Sequence, residues 1–426
     1  MLLADSSKQG GLWMLTQAQN DRISRVGAGT PMGELMRRYW HPIAASTELN
    51  EENPTKEIRL LGEDLVLFRS TKGDIGLIEP SCPHRKANLS YGVPEPEGIR
   101  CAYHGWLFDA QGNCVDQPSE PAGSRFKEKV HIKAYRAEEL GGLVFAYMGP
   151  EPAPLLPRWD ILTWKNVTRR ISTVELPANW LQCMDNSLDP VHFQWLHRYW
   201  GGWEVRRKTP PEERADFDRA SLSRGREHIK VGFDRFDYGI VKRRLMEGET
   251  EDDEWWRIGH PILFPNVLRV AQDHWHSFQY RNPIDDTHTL HLLYTVEVPE
   301  PGVTVKEQDV VPHEQRELYD ANGRLNSTII PAQDEAAWVM QGPITDRTTE
   351  HLGVTDIGII LFRKVIEENL RVVEDGGDPI NVHRDHAKND GILLATEHTY
   401  YPGDAFTGGP FADKPLVPAQ VEASMK

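Results

Sequence analysis

Two short cysteine–histidine pairs, Cys82-Pro83-His84 and Cys101-Ala102-Tyr103-His104, constrain this chain more than any other feature. Sixteen residues lie between them. Each pair offers one thiolate and one imidazole, and two sulfur plus two nitrogen ligands suit zinc or an iron–sulfur cluster. Zinc sites commonly use C-x2-C and H-x3–5-H pairs. The spacing here instead matches a Rieske [2Fe–2S] centre, in which two Cys hold one iron, two His hold the other, and the neutral imidazoles raise the reduction potential. The pairs are expected on two loops of neighbouring hairpins. Gly92 and Pro94 break the segment between them into turns, and Gly105-Trp106 follows the second His.

At 426 residues the chain exceeds one ordinary core, so two domains are expected. It has no run of about 18 apolar residues and opens without a charged-then-apolar leader, so no membrane partner is expected. Cys114 and Cys183, the remaining two of four cysteines, read as buried small hydrophobes rather than a disulfide. A reducing cytoplasm follows as the expected location. The net charge of −16 argues against nucleic acid as a partner. Its densest part, Glu247–Glu254, reads as a solvated hairpin tip.

Residues 1–45 are expected to form a helical segment. Met32–Trp40 carries apolar residues at helical spacing, with Thr30 as N-cap, Pro31 in the first turn and Glu34 behind it. Residues 46–150 read as an all-β domain with strands at Ile58–Leu61, Leu65–Phe68, Ile75–Ile78 and Leu143–Tyr147. Four prolines within residues 149–158 predict a stiff linker. Residues 151–426 form the second domain. Its strands are expected at His228–Phe233, Tyr238–Met246, Trp255–Ile258, Val267–Val270, Trp275–Tyr280 and Leu290–Val298, and its helices at 333–342 and 355–375. The stretch 401–418 is rich in Pro and Gly.

The second informative stretch is Asp185–His197, DNSLDPVHFQWLH. Asp189 and His192 are three apart and share a helix face. His197 lies five beyond His192, about 140° further round an ideal helix, so both imidazoles reach one ion only if the helix ends or bends between them. Two imidazoles and a carboxylate with positions left open form the facial triad of non-haem Fe(II) oxygenases. An H-x4-H pair by itself more often marks an amphipathic helix. The upstream cluster favours the metal, because a carrier of electrons needs somewhere to deliver them.

Taken together, C-P-H-R at Cys82–Arg85, C-A-Y-H-G-W at Cys101–Trp106 and the Asp185–His197 stretch resemble the oxygenase components of Rieske non-haem iron oxygenases. The likeness spans nearly the whole chain and is strongest to the phthalate dioxygenase-like branch, through Gly29–Trp40 and Gln341–Gly353. The resemblance implies an α+β chain: an all-β Rieske [2Fe–2S] domain plus a helix-grip catalytic domain, an antiparallel sheet curved around a long helix. It implies cluster ligation by Cys82, His84, Cys101 and His104, and mononuclear Fe(II) ligation by His192, His197 and a downstream Asp. Asp334 is the choice for that ligand, with Glu335 and Asp346 as fallbacks. Asp334, Trp338 and Gln341 fall on one helical face. Asp189 is expected to bridge, accepting hydrogen bonds from His192 and from a cluster His, and Asn186 to stand beside the iron.

The same resemblance implies a head-to-tail homo-oligomer, a trimer or stacked hexamer, in which one subunit's cluster serves its neighbour's iron. Electrons are expected from NAD(P)H through a separate flavin- and iron–sulfur-bearing reductase, directly or through a ferredoxin. The chain itself shows no G-x-G-x-x-G fingerprint. For an aromatic acid substrate, Arg243, Arg244 and Arg207 (with Arg206 and Lys208 beside it) are candidate carboxylate clamps. Asp185-Asn186-Ser187 looks like aryl O-demethylases acting on methoxylated, lignin-derived acids. Phthalate-type cis-dihydroxylation is the alternative, and a pure electron-transfer protein a second one.

Overall fold

A computed structural model describes residues 14–213 and 226–397. Thr30 caps a short helix, Pro31–Met36, by accepting a hydrogen bond from the Gly33 N–H. That helix stops earlier than its apolar spacing suggests. Arg37 pairs with Glu63 at 2.7 Å, and the Tyr39 hydroxyl donates to the Ile380 carbonyl at 2.8 Å. These distant partners draw the chain out, and Trp40 begins a strand instead of ending a helix.

Strand Trp40–Ala45 pairs with Leu143–Tyr147. The first sheet therefore starts before residue 46, inside the segment expected to be helical. Its six strands run in the order Trp40–Ala45, Leu143–Tyr147, Ala134–Leu140, Ile75–Ile78, Glu63–Arg69, Thr55–Leu60. A four-stranded sheet, Val93–Glu95, Gly98–Arg100, Leu107–Phe108 and Cys114–Asp116, sits beside it. A small core including Val66, Phe68, Ile78, Leu89, Ile99, Trp106 and Phe108 buries both cysteines of the motif and Cys114.

Residues 149–158 have neither helix nor strand, yet they are not a free linker. The Leu155 N–H bonds to the His383 carbonyl, Asn389 bonds both the Arg158 N–H and the Leu156 carbonyl, and the Trp40 indole donates to the Pro154 carbonyl. A prolyl segment with so few N–H groups of its own is satisfied by neighbours' side chains.

The second domain is built on an eight-stranded sheet ordered His228–Phe236, Gly239–Met246, His260–Leu263, Val267–Gln272, Trp275–Pro283, Thr289–Glu297, Thr168–Leu176, His313–Gln315. All pairs are antiparallel except the last. The long helix Ile357–Glu374 buries Ile359, Phe362, Val365, Ile366 and Leu370 in a core shared with sheet residues Phe233, Ile240, Ile262 and Leu268. Sheet and helix are thus packed as a grip. The expected strand Trp255–Ile258 is a helical turn, Glu254–Arg257. Arg243 takes the Trp256 and Arg257 carbonyls that a strand would offer its neighbour. The acidic run before it is the turn expected, partly neutralised by Arg226–Glu249 and Lys230–Glu251 pairs. Residues 401–418 lie outside the described part of the chain. Among the described residues no helix is long and apolar enough to cross a membrane.

Candidate metal centres

The Cys82 and Cys101 loops are twins. In each, the cysteine N–H bonds to a carbonyl five residues on (Ala87, Trp106), and the cysteine carbonyl accepts from the N–H four residues on (Lys86, Gly105). The residue at that fourth position takes a positive φ, 62° at Lys86 and 75° at Gly105. The left-handed turn is easy for glycine and uncommon for lysine, and it folds each loop back so that Cys and His emerge on one side. Both cysteines are buried while His84 is exposed and His104 half-buried. The two imidazoles sit 4.4 Å apart, centroid to centroid, and Trp106 stacks on His84 at 4.6 Å.

Burial pushes the Cys82 thiol up to about 11, with the neighbouring Cys101 adding to it and the His84 and Arg85 N–H groups opposing. Two adjacent buried thiols and two adjacent, more exposed imidazoles fit a [2Fe–2S] cluster in which the cysteines would hold one iron and the histidines the other. Neither loop carries the C-x2-C pair common in zinc knuckles.

The second centre depends on an unusual helix. Helix Trp180–Ser187, capped by Asn179, leads to Asp189, and residues Phe193–Trp200 then form a π-helix with His192 as its N-cap. Its i→i+5 hydrogen bonds widen the turn, so residues five apart come onto one face. This resolves the 140° conflict: the helix neither ends nor kinks between His192 and His197 but loosens. The two rings lie 5.1 Å apart. Asp334 comes from helix Ile330–Met340, which Pro331 starts. Its Oδ1 is 3.5 Å from His192 Nε2 and 3.3 Å from His197 Nε2.

One ligand atom from each of His192, His197 and Asp334 lies within 4.8 Å of the others. Burial pushes the His192 imidazolium down, favouring the neutral ligating form. Burial pushes the Asp334 carboxyl up, but His197, His192 and Arg281 outweigh it and hold the group ionised. Two imidazole nitrogens and a carboxylate, with the remaining positions uncommitted, fit a mononuclear iron. The fallback ligands are elsewhere. Glu335 faces His291 and Arg316, and Asp346 caps its own exposed turn through Thr348.

Asn186 donates to Asp334 Oδ1 at 3.4 Å. Asp189 departs from expectation. Its carboxylate caps the turn through the Val191 and His192 N–H groups, and His192 Nδ1 bonds instead to the Asp189 backbone carbonyl at 2.5 Å. The carboxylate Oδ2 stands 3.8 Å from that nitrogen, and the side chain is 27% exposed, so one edge faces outward.

Sequence reasoning missed the support for His197. Gln333 Oε1 accepts from His197 Nδ1 at 2.9 Å, fixing the tautomer that presents Nε2 to a metal. Gln333 Nε2 is anchored to the Ser327 carbonyl, and Ser327 Oγ to Glu204. A Cβ at Gly201 would stand 2.6 Å from the Gln333 amide nitrogen, so that glycine gives Gln333 its room. Arg207, expected as a substrate clamp, pairs with Glu204 at 2.6 Å behind this network. Arg243, a second expected clamp, pairs with Asp234 at 2.5 Å. Alternation aims it away from the face that carries Lys242 and Arg244. Arg244 does face inward, 3.6 Å over the Trp255 ring centroid and 5.2 Å from that of Phe193, beside His192.

A twin-loop cluster cradle on a small β domain, joined to a helix-grip domain with a two-His, one-carboxylate centre, defines a Rieske-type oxygenase. The chain belongs to the Rieske non-haem iron oxygenases, as an oxygenase subunit. The domain family described as Rieske [2Fe-2S] domain matches residues 39–136, and that described as LigXa C-terminal domain like matches 304–394, the segment holding Asp334. The chain is 43% identical to the 5,5'-dehydrodivanillate O-demethylase oxygenase subunit of Sphingobium sp., over 90% of this chain and 87% of that one. It is 31% identical to the phthalate 4,5-dioxygenase oxygenase subunit of Pseudomonas putida, over 86% and 89%. The fold matches the terminal oxygenase of carbazole 1,9a-dioxygenase from Nocardioides aromaticivorans with a TM-score of 0.57, at 18% identity, covering 82% of this chain and 99% of that one. Membership brings one Rieske cluster and one mononuclear iron, with electrons supplied through a partner reductase.

Proposed function

We propose that this oxygenase O-demethylates a methoxylated aromatic carboxylate, releasing formaldehyde. Cys82, His84, Cys101 and His104 hold the cluster, and His192, His197 and Asp334 hold the iron. The observation that carries the reading is the site geometry in a chain 43% identical to an aromatic O-demethylase subunit over nine-tenths of its length. The cluster supplies single electrons and the iron supplies O2 activation. One O2, two electrons and two protons convert an aryl methyl ether to its hemiacetal and water. The hemiacetal then breaks its C–O bond, giving a phenol and formaldehyde.

The chain's residues do the rest. Gln333 and the Asp189 carbonyl orient the two imidazoles. Asn186 holds Asp334 Oδ1 and presents an amide beside the reacting atoms. The outward edge of Asp189 accepts a neighbouring subunit's cluster histidine in a head-to-tail trimer, single or stacked. The exposure of His84 and His104 suits them to that contact and to a reductase or ferredoxin at other times. The likeness to phthalate 4,5-dioxygenase supports a second reading, cis-dihydroxylation of an aromatic acid. Product analysis separates them: formaldehyde equal to O2 consumed supports demethylation, and a cis-diol without formaldehyde overturns it.

A further inference from the structure

We propose that Lys242 recognises the anionic group of the substrate, within a polar subsite shared with Arg244, His228, His260 and Glu397. The proposal rests on the reading of the substrate as an aromatic carboxylate. Strand register sets the direction of the side chain. Lys242 stands opposite Phe233 on one neighbouring strand and His260 on the other, and residues opposite one another in an antiparallel pair share a face. Phe233, with Ile240 two residues before Lys242, belongs to the core around the long helix. A Cβ on Gly358 of that helix would meet the Phe233 ring at 2.3 Å. This is therefore the gripping face of the sheet. Two residues on, Arg244 lies against Phe193, whose ring is 5.5 Å from that of His197. The same face fronts the iron ligands.

The subsite is polar and incompletely partnered. Among the described residues the Lys242 side chain makes neither a hydrogen bond nor an ion pair. Both ring nitrogens of His228 and the Arg244 Nε are buried without a hydrogen-bond partner. The fully buried Glu397 lies 2.5 Å from His260 Nε2. Native folds rarely leave buried polar atoms unmet, and several at one place mark a site for something else. Burial holds His228 and His260 in their neutral forms. Lys242 and Arg244 are the cations of the subsite, and burial, with Arg244 nearby, lowers the Lys242 ammonium to about 8. Arg244 has its face covered by Trp255, with Glu397 and Glu249 as the acids that favour its charge. A substrate carboxylate would supply the partner that the Lys242 side chain lacks.

The test is binding of 3-methoxybenzoate and its uncharged amide, 3-methoxybenzamide, to anaerobic holoenzyme, by calorimetry without turnover. Iron content and cluster absorbance confirm intact protein. The wild type should prefer the acid, and Lys242→Met should weaken acid binding by about 10–100-fold, the range for a lost charged hydrogen bond. Amide binding should stay unchanged, and Lys242→Arg should recover most of the preference. Lys242→Gln is read the same way if the methionine variant loses iron. A preference retained in both Lys242→Met and Lys242→Gln overturns the assignment of Lys242 and leaves the aromatic-acid reading standing. A wild type with no preference for the acid overturns that reading and the proposal with it.

Discussion

Asp189 has to serve two neighbours at once. Its backbone carbonyl orients His192, its carboxylate caps the turn that begins the π-helix, and one edge stays open. Removing the carboxylate should leave both metals bound and abolish product formation, because the ligands are held by other groups. Full turnover in Asp189→Ala would refute the bridging role. Gln333 predicts a different phenotype. Gly201→Ala pushes its amide away from His197, and Gln333→Leu removes it. Each should lower Fe(II) affinity at the triad by about 10–100-fold, read by metal titration, with cluster absorbance unchanged. The proposed ligands could be chosen from the sequence, the cysteines and histidines by residue type and spacing and Asp334 through the family resemblance. Gln333 could not. Its role comes from a partner reached only through the fold, His197 across 136 positions. Arg243 misled because Asp234 reaches it only across a hairpin, whereas the Glu204–Arg207 pair is an i,i+3 contact on one helix that the spacing already allowed.

At the level of elements, alternation located most strands of the second sheet, because one of its faces is buried against helices. It failed at Trp255–Ile258, where two adjacent tryptophans have high strand propensity but Arg243 binds the backbone carbonyls. The five-residue His spacing exposed a conflict that a regular α-helix cannot meet, and the π-helix is its resolution. The grip itself depends on close approach: Gly358 lets the long helix lie against Phe233. Gly358→Ala should destabilise the catalytic domain by about 1–3 kcal/mol through overpacking, seen as a lower denaturant midpoint at unchanged slope. An unchanged midpoint would mean the ring has room to move.

At the scale of the whole molecule, the two domains are joined by backbone bonds, from Leu61 and Gly62 to Pro283 and Ile284, and by Asn282 to the Pro42 carbonyl. Such a junction fixes the cluster relative to its own chain's iron, and the proposed head-to-tail assembly would carry electrons across a subunit boundary instead. Chains carrying Cys101→Ser and chains carrying Asp334→Ala are each expected to be inactive. Co-expressed in mixed oligomers they should recover activity, since one supplies the iron and the other the cluster; no recovery would argue for transfer within a chain. The central claim is that the chain holds two separate metal centres with the ligands named. Iron quantification tests it most directly. The wild type should bind about three irons per chain, two in the cluster and one at the triad. Asp334→Ala should bind about two, with the cluster spectrum intact. Two irons in both proteins, or three in both, would contradict it.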